Sequence, residues 1–305
     1  MKALNGGQQN LLPPGERIDQ APQWFRDALD NAPQDHFVAY QQTKLHYRQW
    51  LGPSADTPNI VLVHGGGAHA RWYDFIAPLL TPYYNAISLD LPGMGDSGWL
   101  QEYNREIMAE AVINMVRDAG FTTKPAIIGH SMGGLIAQVL AEKGDVSQAV
   151  FLTPAQPKGC AVIGPSVAFT FLNILIQQNR KKSYKVWRTG FDFGVTNCVP
   201  KRLREEIYSH ALYDSGKVYG DLTDGVEIDE SRIKIPTLTI AAGKDRATLA
   251  SAVRKVGEKY SRAPVAGDFM EYPKNGHWIV DEPGTDKVAA DIAGWLARTR
   301  VKEDA

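Results

Sequence analysis

The stretch that most restricts the fold is residues 125–134, Pro-Ala-Ile-Ile-Gly-His-Ser-Met-Gly-Gly. Residues 126–128 form a short apolar run with the character of a buried strand. Beyond Ser131, Leu135, Ile136, Val139 and Leu140 recur at three- and four-residue spacing, the period of an amphipathic helix. Strand must therefore become helix within about two residues, across a match to G-x-S-x-G. So sharp a turn brings backbone against backbone, and Gly129 and Gly133 supply the missing Cβ atoms. Ser131 is left on the apex at a helix N-terminus, where free N–H groups and the helix dipole favour a developing oxyanion. Serine also caps helices routinely. Reading Ser131 as a nucleophile thus depends on finding a base and an orienting acid elsewhere.

The rest of the chain fits around that elbow. Residues 36–40 and 45–50 alternate and are joined by residues 41–44, which predicts an antiparallel hairpin. Residues 60–63, 84–89, 148–152 and 236–241 are buried-strand candidates, and 269–272 is a short one. Helical patterns cover 71–80, 103–118, 247–260 and 285–298. Strand and helix alternate, so the expected class is α/β. The sheet is doubly wound and mostly parallel, with its active residues at the carboxyl ends of the strands. The rhythm breaks at residues 155–231, read as an inserted, mainly helical lid with an apolar helix-like stretch at 162–176. The core domain is then 36–154 plus 232–305. Residues 1–35 form an N-terminal extension whose first fifteen residues are expected to be mobile, with one short helix around Trp24, Phe25 and Leu29.

Charge within the insertion is lopsided. Residues 155–204 carry nine Lys/Arg and one acid, whereas 205–230 carry eight Asp/Glu and one Lys. Two solvated faces that partly pair account for this; a basic rim that steers anionic substrates is the sharper alternative. Over the whole chain the formal charge is −1, which gives no pull toward nucleic acid or an anionic membrane. No run reaches the length of a membrane span, and no signal-peptide pattern opens the sequence. With only Cys160 and Cys198, a disulfide framework is excluded. A cytoplasmic protein with reduced thiols is expected.

A serine hydroxyl needs a base within hydrogen-bond reach, and the base needs an acceptor to hold its ring. Of seven histidines, His277 alone follows the last strand, just after Gly276. Asp245 lies at the end of the preceding strand, in a Gly-x-Asp turn. The order Ser131, Asp245, His277 is that expected of one fold. The strand ending at Thr153-Pro154 carries no carboxylate at the commonest alternative acid position. Gly93-Met94-Gly95-Asp96-Ser97-Gly98 spells G-x-G-x-x-G, but Asp90-Leu91-Pro92 intervenes after the strand and residues 99–104 delay the helix, against a dinucleotide site. His64 and His69 share a loop with no third ligand in view, so no metal site is expected. Trp72 and Trp278 are candidate pocket walls.

With these residues in place, the chain resembles the α/β-hydrolase superfamily over about residues 36–298. The resemblance rests on His64-Gly65-Gly66-Gly67, on Asp90-Leu91-Pro92-Gly93-Met94-Gly95-Asp96-Ser97, on the elbow, and on the Asp245 and His277 loops in that order. It is most similar to the lid-bearing branch that includes carboxylesterases, enol-lactonases and C–C bond hydrolases. The resemblance implies a serine hydrolase that cleaves a carboxylic ester or lactone through an acyl-enzyme on Ser131, without a cofactor. It also implies an oxyanion hole of the Met132 N–H and an N–H of the His64–Gly67 loop, with Gly66 first and Gly67 second. His64 is expected to brace that loop. C–C bond hydrolysis or perhydrolysis would use the same triad, and a ligand-binding receptor could share the scaffold. Epoxide hydrolysis and dehalogenation need an aspartate where Ser131 stands.

Overall fold

The computed structural model describes residues 23–54, 56–177 and 179–300. The expectation for the first fifteen residues lies outside this range, as do the side chains of Trp24, Phe25 and Leu29. After a first helix, α1 (Gln23–Asp30), the predicted hairpin forms: β1 (Gln34–Tyr40) pairs antiparallel with β2 (Thr43–Trp50). Its turn is only Gln41-Gln42, and Gln41 takes φ 52° to close it. Then follow β3 (Asn59–Val63), α2 (Ala77–Leu80), β4 (Asn85–Leu89), α3 (Arg105–Asp118), β5 (Ala126–His130), α4 (Met132–Lys143) and β6 (Gln148–Leu152).

Residues 71–80, expected as one helix, split into a 3₁₀ turn (Ala70–Tyr73) and α2. Pro78 explains the break. It has no N–H for the carbonyl of Asp74, and its ring would clash there. Helix α3 starts at Arg105 rather than at 103, because the Asn104 side chain caps it by accepting the Ile107 N–H at 2.8 Å.

Between β6 and β9 (Thr237–Ala242) the chain leaves the sheet. It forms α5 (Pro165–Thr170), α6 (Leu172–Gln177), β7 (Ser183–Tyr184), helical turns over Arg188–Gly190 and Phe191–Val195, α7 (Lys201–His210), β8 (Asp214–Ser215) and α8 (Gly216–Asp224). The stretch expected to be one helix at 162–176 is thus two, divided at Phe171. β7 and β8 pair as a two-stranded ribbon. The opposed charges of this segment do meet in part: Arg180 pairs with Asp221 and Asp224, and Arg188 with Asp192 and Glu205. The chain closes with α9 (Ala250–Tyr260), β10 (Asp268–Tyr272) and α10 (Thr285–Thr299).

The main sheet has eight strands in the order β1-β2-β4-β3-β5-β6-β9-β10, parallel from β4 onward. In β3, Ile60 and Leu62 face one apolar layer and Val61 and Val63 the other, all fully buried. That two-sided burial is why the central strands read as unbroken apolar runs. One layer is closed by Val288, Ile292, Trp295 and Leu296 of α10. The other is closed by α3, α4 and α9, through residues such as Val112, Leu135, Val139 and Val256. This packing fixes the carboxyl ends of β3, β5, β6, β9 and β10 along one edge of the sheet. Among the described residues no helix is long and apolar enough to cross a membrane.

Candidate active site

At the end of β5 the chain passes directly into α4 through Ser131, which adopts φ 54° and ψ −119°. A serine held there is strained by about 1–3 kcal/mol and persists only where its surroundings fix it. Ser131 N–H donates to the Leu152 carbonyl at 3.1 Å, and the Ser131 carbonyl accepts N–H groups from Gly134 (2.9 Å), Leu135 (3.3 Å) and Ala155 (2.8 Å). The flanking glycines are obligatory. A Cβ on Gly129 would stand 2.2 Å from the Gly133 carbonyl oxygen, and one on Gly133 would stand 2.2 Å from that of Val63.

Three side chains distant in sequence meet above the sheet. His277 Nε2 lies 3.0 Å from Ser131 Oγ, and His277 Nδ1 lies 2.8 Å from Asp245 Oδ2. Asp245 and His277 are buried. Asp245 is held at both oxygens: Oδ1 accepts the N–H groups of Ala247 and Thr248 at 2.8 Å each, and Oδ2 accepts the Thr248 hydroxyl at 2.7 Å. These bonds draw the 246–249 segment into a turn, so α9 starts at Ala250 rather than at 247 as the sequence pattern predicts.

The loop carrying His277 is held from below. His130 is fully buried, and burial pushes its pKa down to about 3, so the ring is neutral and its Nε2–H donates to the His277 carbonyl at 2.9 Å. Gly276 N–H donates to Glu282 Oε1 at 2.7 Å. His64 acts as a brace: its Nε2 accepts the Leu91 N–H at 3.1 Å, which leaves Nδ1 to donate to the Gly65 carbonyl at 2.7 Å.

Gly66 and Gly67 lie beside the elbow. A Cβ on Gly66 would look toward Asp214 Oδ2 at 3.4 Å, Tyr219 Oη at 3.7 Å and Met132 Sδ at 3.9 Å. Gly67 has φ 65°, its carbonyl accepts the Leu212 N–H at 2.7 Å, and its own N–H acts on the Asp214 carboxyl. Met132 is the first residue of α4, so its N–H has no partner within the helix. Trp72 and Trp278 are both buried and pack edge to face, centroids 4.0 Å apart, with Phe191 of the segment between β6 and β9 against Trp278.

Several residues around the site had no supporting role assigned from the sequence: Thr248, His130, Asp214 and Thr153. Thr248 had a local signal, since Asp-x-x-Thr just after a strand is an Asx-type turn pattern. Thr153, at the end of β6, takes φ 40°, and its carbonyl accepts the Thr248 hydroxyl at 3.1 Å. Asp214 reaches the loop of Gly66 and Gly67 from a segment whose fold no periodicity announces.

One cluster among the described residues has metal-ligand spacing: His46, Asp90 and Asp96. Its atoms are already committed. Asp90 Oδ2 takes His46 Nδ1 at 2.7 Å and the Asp96 N–H at 2.8 Å, Oδ1 takes the Ala70 N–H at 2.6 Å, and Asp96 pairs with Arg71. This network ties the loop after β4 to the loop after β3.

Comparison with known proteins agrees with the architecture. The family model described as "Alpha/beta hydrolase family" matches residues 60–291. A pimeloyl-[acyl-carrier protein] methyl ester esterase of Neisseria meningitidis is 36% identical over 84 residues, which are 28% of this chain and 31% of that protein. The match thus spans about a third of that relative's length. Among solved structures, an esterase from Rhodococcus superposes with a TM-score of 0.70 at 20% identity, covering 88% of this chain and 99% of that one. The enol-lactonase of Burkholderia xenovorans superposes with a TM-score of 0.65 at 17% identity, covering 86% and 100%. At such identities the superpositions speak for the fold alone, and the family match spans most of the chain. This chain belongs to the alpha/beta hydrolase family.

Proposed function

We propose that the protein is a carboxylic ester hydrolase, acting on an ester or lactone through an acyl-enzyme on Ser131. The observation that carries this is the continuous line from Ser131 Oγ through His277 to Asp245, at 3.0 and 2.8 Å. Asp245 receives the Nδ1–H of His277, which leaves Nε2 unprotonated and facing the hydroxyl. His277 takes the proton from Ser131 as Oγ attacks the carbonyl carbon and returns it to the leaving alcohol. Water then attacks the acyl-enzyme by the same route in reverse. The developing oxyanion is received by the N–H groups of Met132 and Gly66, at the positive end of α4. Gly66 is preferred over Gly67 because the Gly67 N–H already serves the Asp214 carboxyl. No step calls on a metal or a cofactor.

Residues 155–231 form the lid in this reading, and 36–154 with 232–305 the catalytic core. The insertion contributes contacts to the pocket walls through Phe191 against Trp278. The test is steady-state hydrolysis of p-nitrophenyl acetate and butyrate by the wild type and by Ser131→Ala. Sustained turnover that Ser131→Ala abolishes, with the fold intact, is expected. Retained activity in that variant overturns the nucleophile assignment, and a single burst without turnover favours a receptor on the same scaffold.

A further inference from the structure

Among the described residues, Asp214 is the one carboxylate of the insertion that is wholly withdrawn from solvent, at 1% exposure, and only the backbone N–H groups of Ser215 and Gly67 act on it. Its Oδ1 accepts the N–H of Ser215 at 2.7 Å. Its Oδ2 is buried with no hydrogen-bond partner among the described residues. That oxygen points to the Gly66 side of the loop, where Tyr219 Oη and Met132 Sδ converge on the same spot. A buried acid with an orphaned oxygen is costly unless something fills the vacancy. Receiving the backbone N–H groups of Ser215 and Gly67 does not require a carboxylate, since an asparagine oxygen would accept them as well.

We propose that Asp214 holds a hydroxyl group of the substrate, carried on the carbon next to the scissile carbonyl. This deepens the ester-hydrolase reading and rests on it. A carbonyl oxygen received by the Gly66 N–H sits about 3 Å from that nitrogen, and a substituent one carbon further on comes within reach of an acceptor on the Cβ side of Gly66. The absence of a side chain at Gly66 keeps that approach open.

The chemistry of the group selects the ligand. Burial pushes the Asp214 carboxyl up to about 7, so near neutral pH it offers both an acceptor form and a donor form. A hydroxyl, being donor and acceptor, satisfies either. A substrate ammonium would match only the ionised form, and a substrate carboxylate would be repelled by it. A second polar group on the same loop agrees with a polar substrate: His69, two residues past Gly67, is buried with both ring nitrogens unpartnered among the described residues.

Methyl lactate and methyl isobutyrate differ at that carbon by hydroxyl against methyl and are close in size. The readout is the ratio of their kcat/KM values, from acid release, in the wild type and in Asp214→Leu. Comparing ratios cancels the intrinsic reactivity of the two esters. The lactate-to-isobutyrate ratio is expected to fall by at least about tenfold in Asp214→Leu; a ratio within about twofold of wild type overturns the proposal. Should Asp214→Leu fail to fold, the Ser131→Ala protein, with Asp214 intact, decides by NMR titration. There, methyl lactate should bind several-fold more tightly than methyl isobutyrate, and equal Kd values overturn the assignment. If the wild type hydrolyses neither methyl ester, the p-nitrophenyl esters decide the ester-hydrolase reading, while the titration decides the role of Asp214.

Discussion

Replacing Asp245 by asparagine should cost about four orders of magnitude in kcat/KM, and the hydrogen bonds around it say why. Oδ1 accepts two backbone N–H groups, from Ala247 and Thr248. An asparagine must place its carbonyl oxygen there, because its amide nitrogen would confront two donors. Its NH₂ then faces Thr248 Oγ1 and His277 Nδ1 in the place of Oδ2. A donor opposite Nδ1 makes that nitrogen the acceptor and moves the imidazole proton to Nε2, 3.0 Å from Ser131 Oγ. The serine then meets an N–H instead of a base. The same tautomer trap in serine proteases costs about 10⁴ in kcat, roughly 5.5 kcal/mol at 1.36 per tenfold. The assay is kcat/KM for p-nitrophenyl butyrate from pH 6 to 10, with thermal unfolding as the control for folding. Asp245→Ala is the comparator, since it forces no tautomer on the ring. A folded Asp245→Asn protein within about tenfold of wild type at pH 7 would refute the reasoning.

Gly133→Ala should unfold or strongly destabilise the protein, by about 3 kcal/mol or more in urea unfolding, because its Cβ meets the carbonyl oxygens of Val63 and His64 at 2.2 and 2.5 Å and backbone cannot yield. Gly294→Ala, inside α10, meets only the flexible end of Arg298 at 3.3 Å and should stabilise by up to about 1 kcal/mol in the same assay. Thr248→Val removes a hydroxyl bond to Asp245 Oδ2 and should lower kcat about five- to tenfold with little change in KM, and Thr248→Ser should restore it. Asp214 has a folded pKa near 7, above the ordinary carboxylate value of 3.8, so its stabilising contribution is full below pH 3.8 and is lost as pH rises toward 7. The stability gain of Asp214→Asn over wild type should therefore grow by about 1.4 kcal/mol per pH unit between pH 5 and 7, then level off; a pH-independent difference in urea unfolding would contradict it.

What the sequence made legible follows from how local each cause is. Buried on both faces, β3 through β6 are apolar at most positions, with polar residues such as Ser88 the exceptions, so their runs could be read without knowing their neighbours. The elbow was legible because Gly129 and Gly133 answer a steric demand within a few residues of Ser131. The helix at 71–80 misled because its apolar spacing is real, and one proline cancels it. The start of α9 was misplaced because Asp245 takes the N–H groups of Ala247 and Thr248 out of the helix, an interaction periodicity does not encode. Asp214 was invisible for a deeper reason. Its burial depends on Leu212 docking to Gly67, residues 145 positions apart by their numbering, in a segment of short elements without a period.

That docking bears on how the insertion and the site depend on each other. Ala155, just past β6, donates to the carbonyl of Ser131 at 2.8 Å and helps hold the strained Ser131 backbone. Leu212 donates to Gly67 at 2.7 Å in the glycine loop. Asn197 Nδ2 donates to the Lys244 carbonyl at 2.8 Å, one residue before Asp245, while Cys198 packs so closely on Gly276, next to His277, that a Cβ there would lie 3.0 Å from its Sγ. The segment between β6 and β9 therefore touches each loop on which the proposed chemistry depends. A cover that only gated access would need no such bonds to the backbone beneath it. Substitutions in this segment that alter which substrate fits must also strain the loops that position Ser131, Gly66, Asp245 and His277, so selectivity and turnover are coupled through the same few hydrogen bonds.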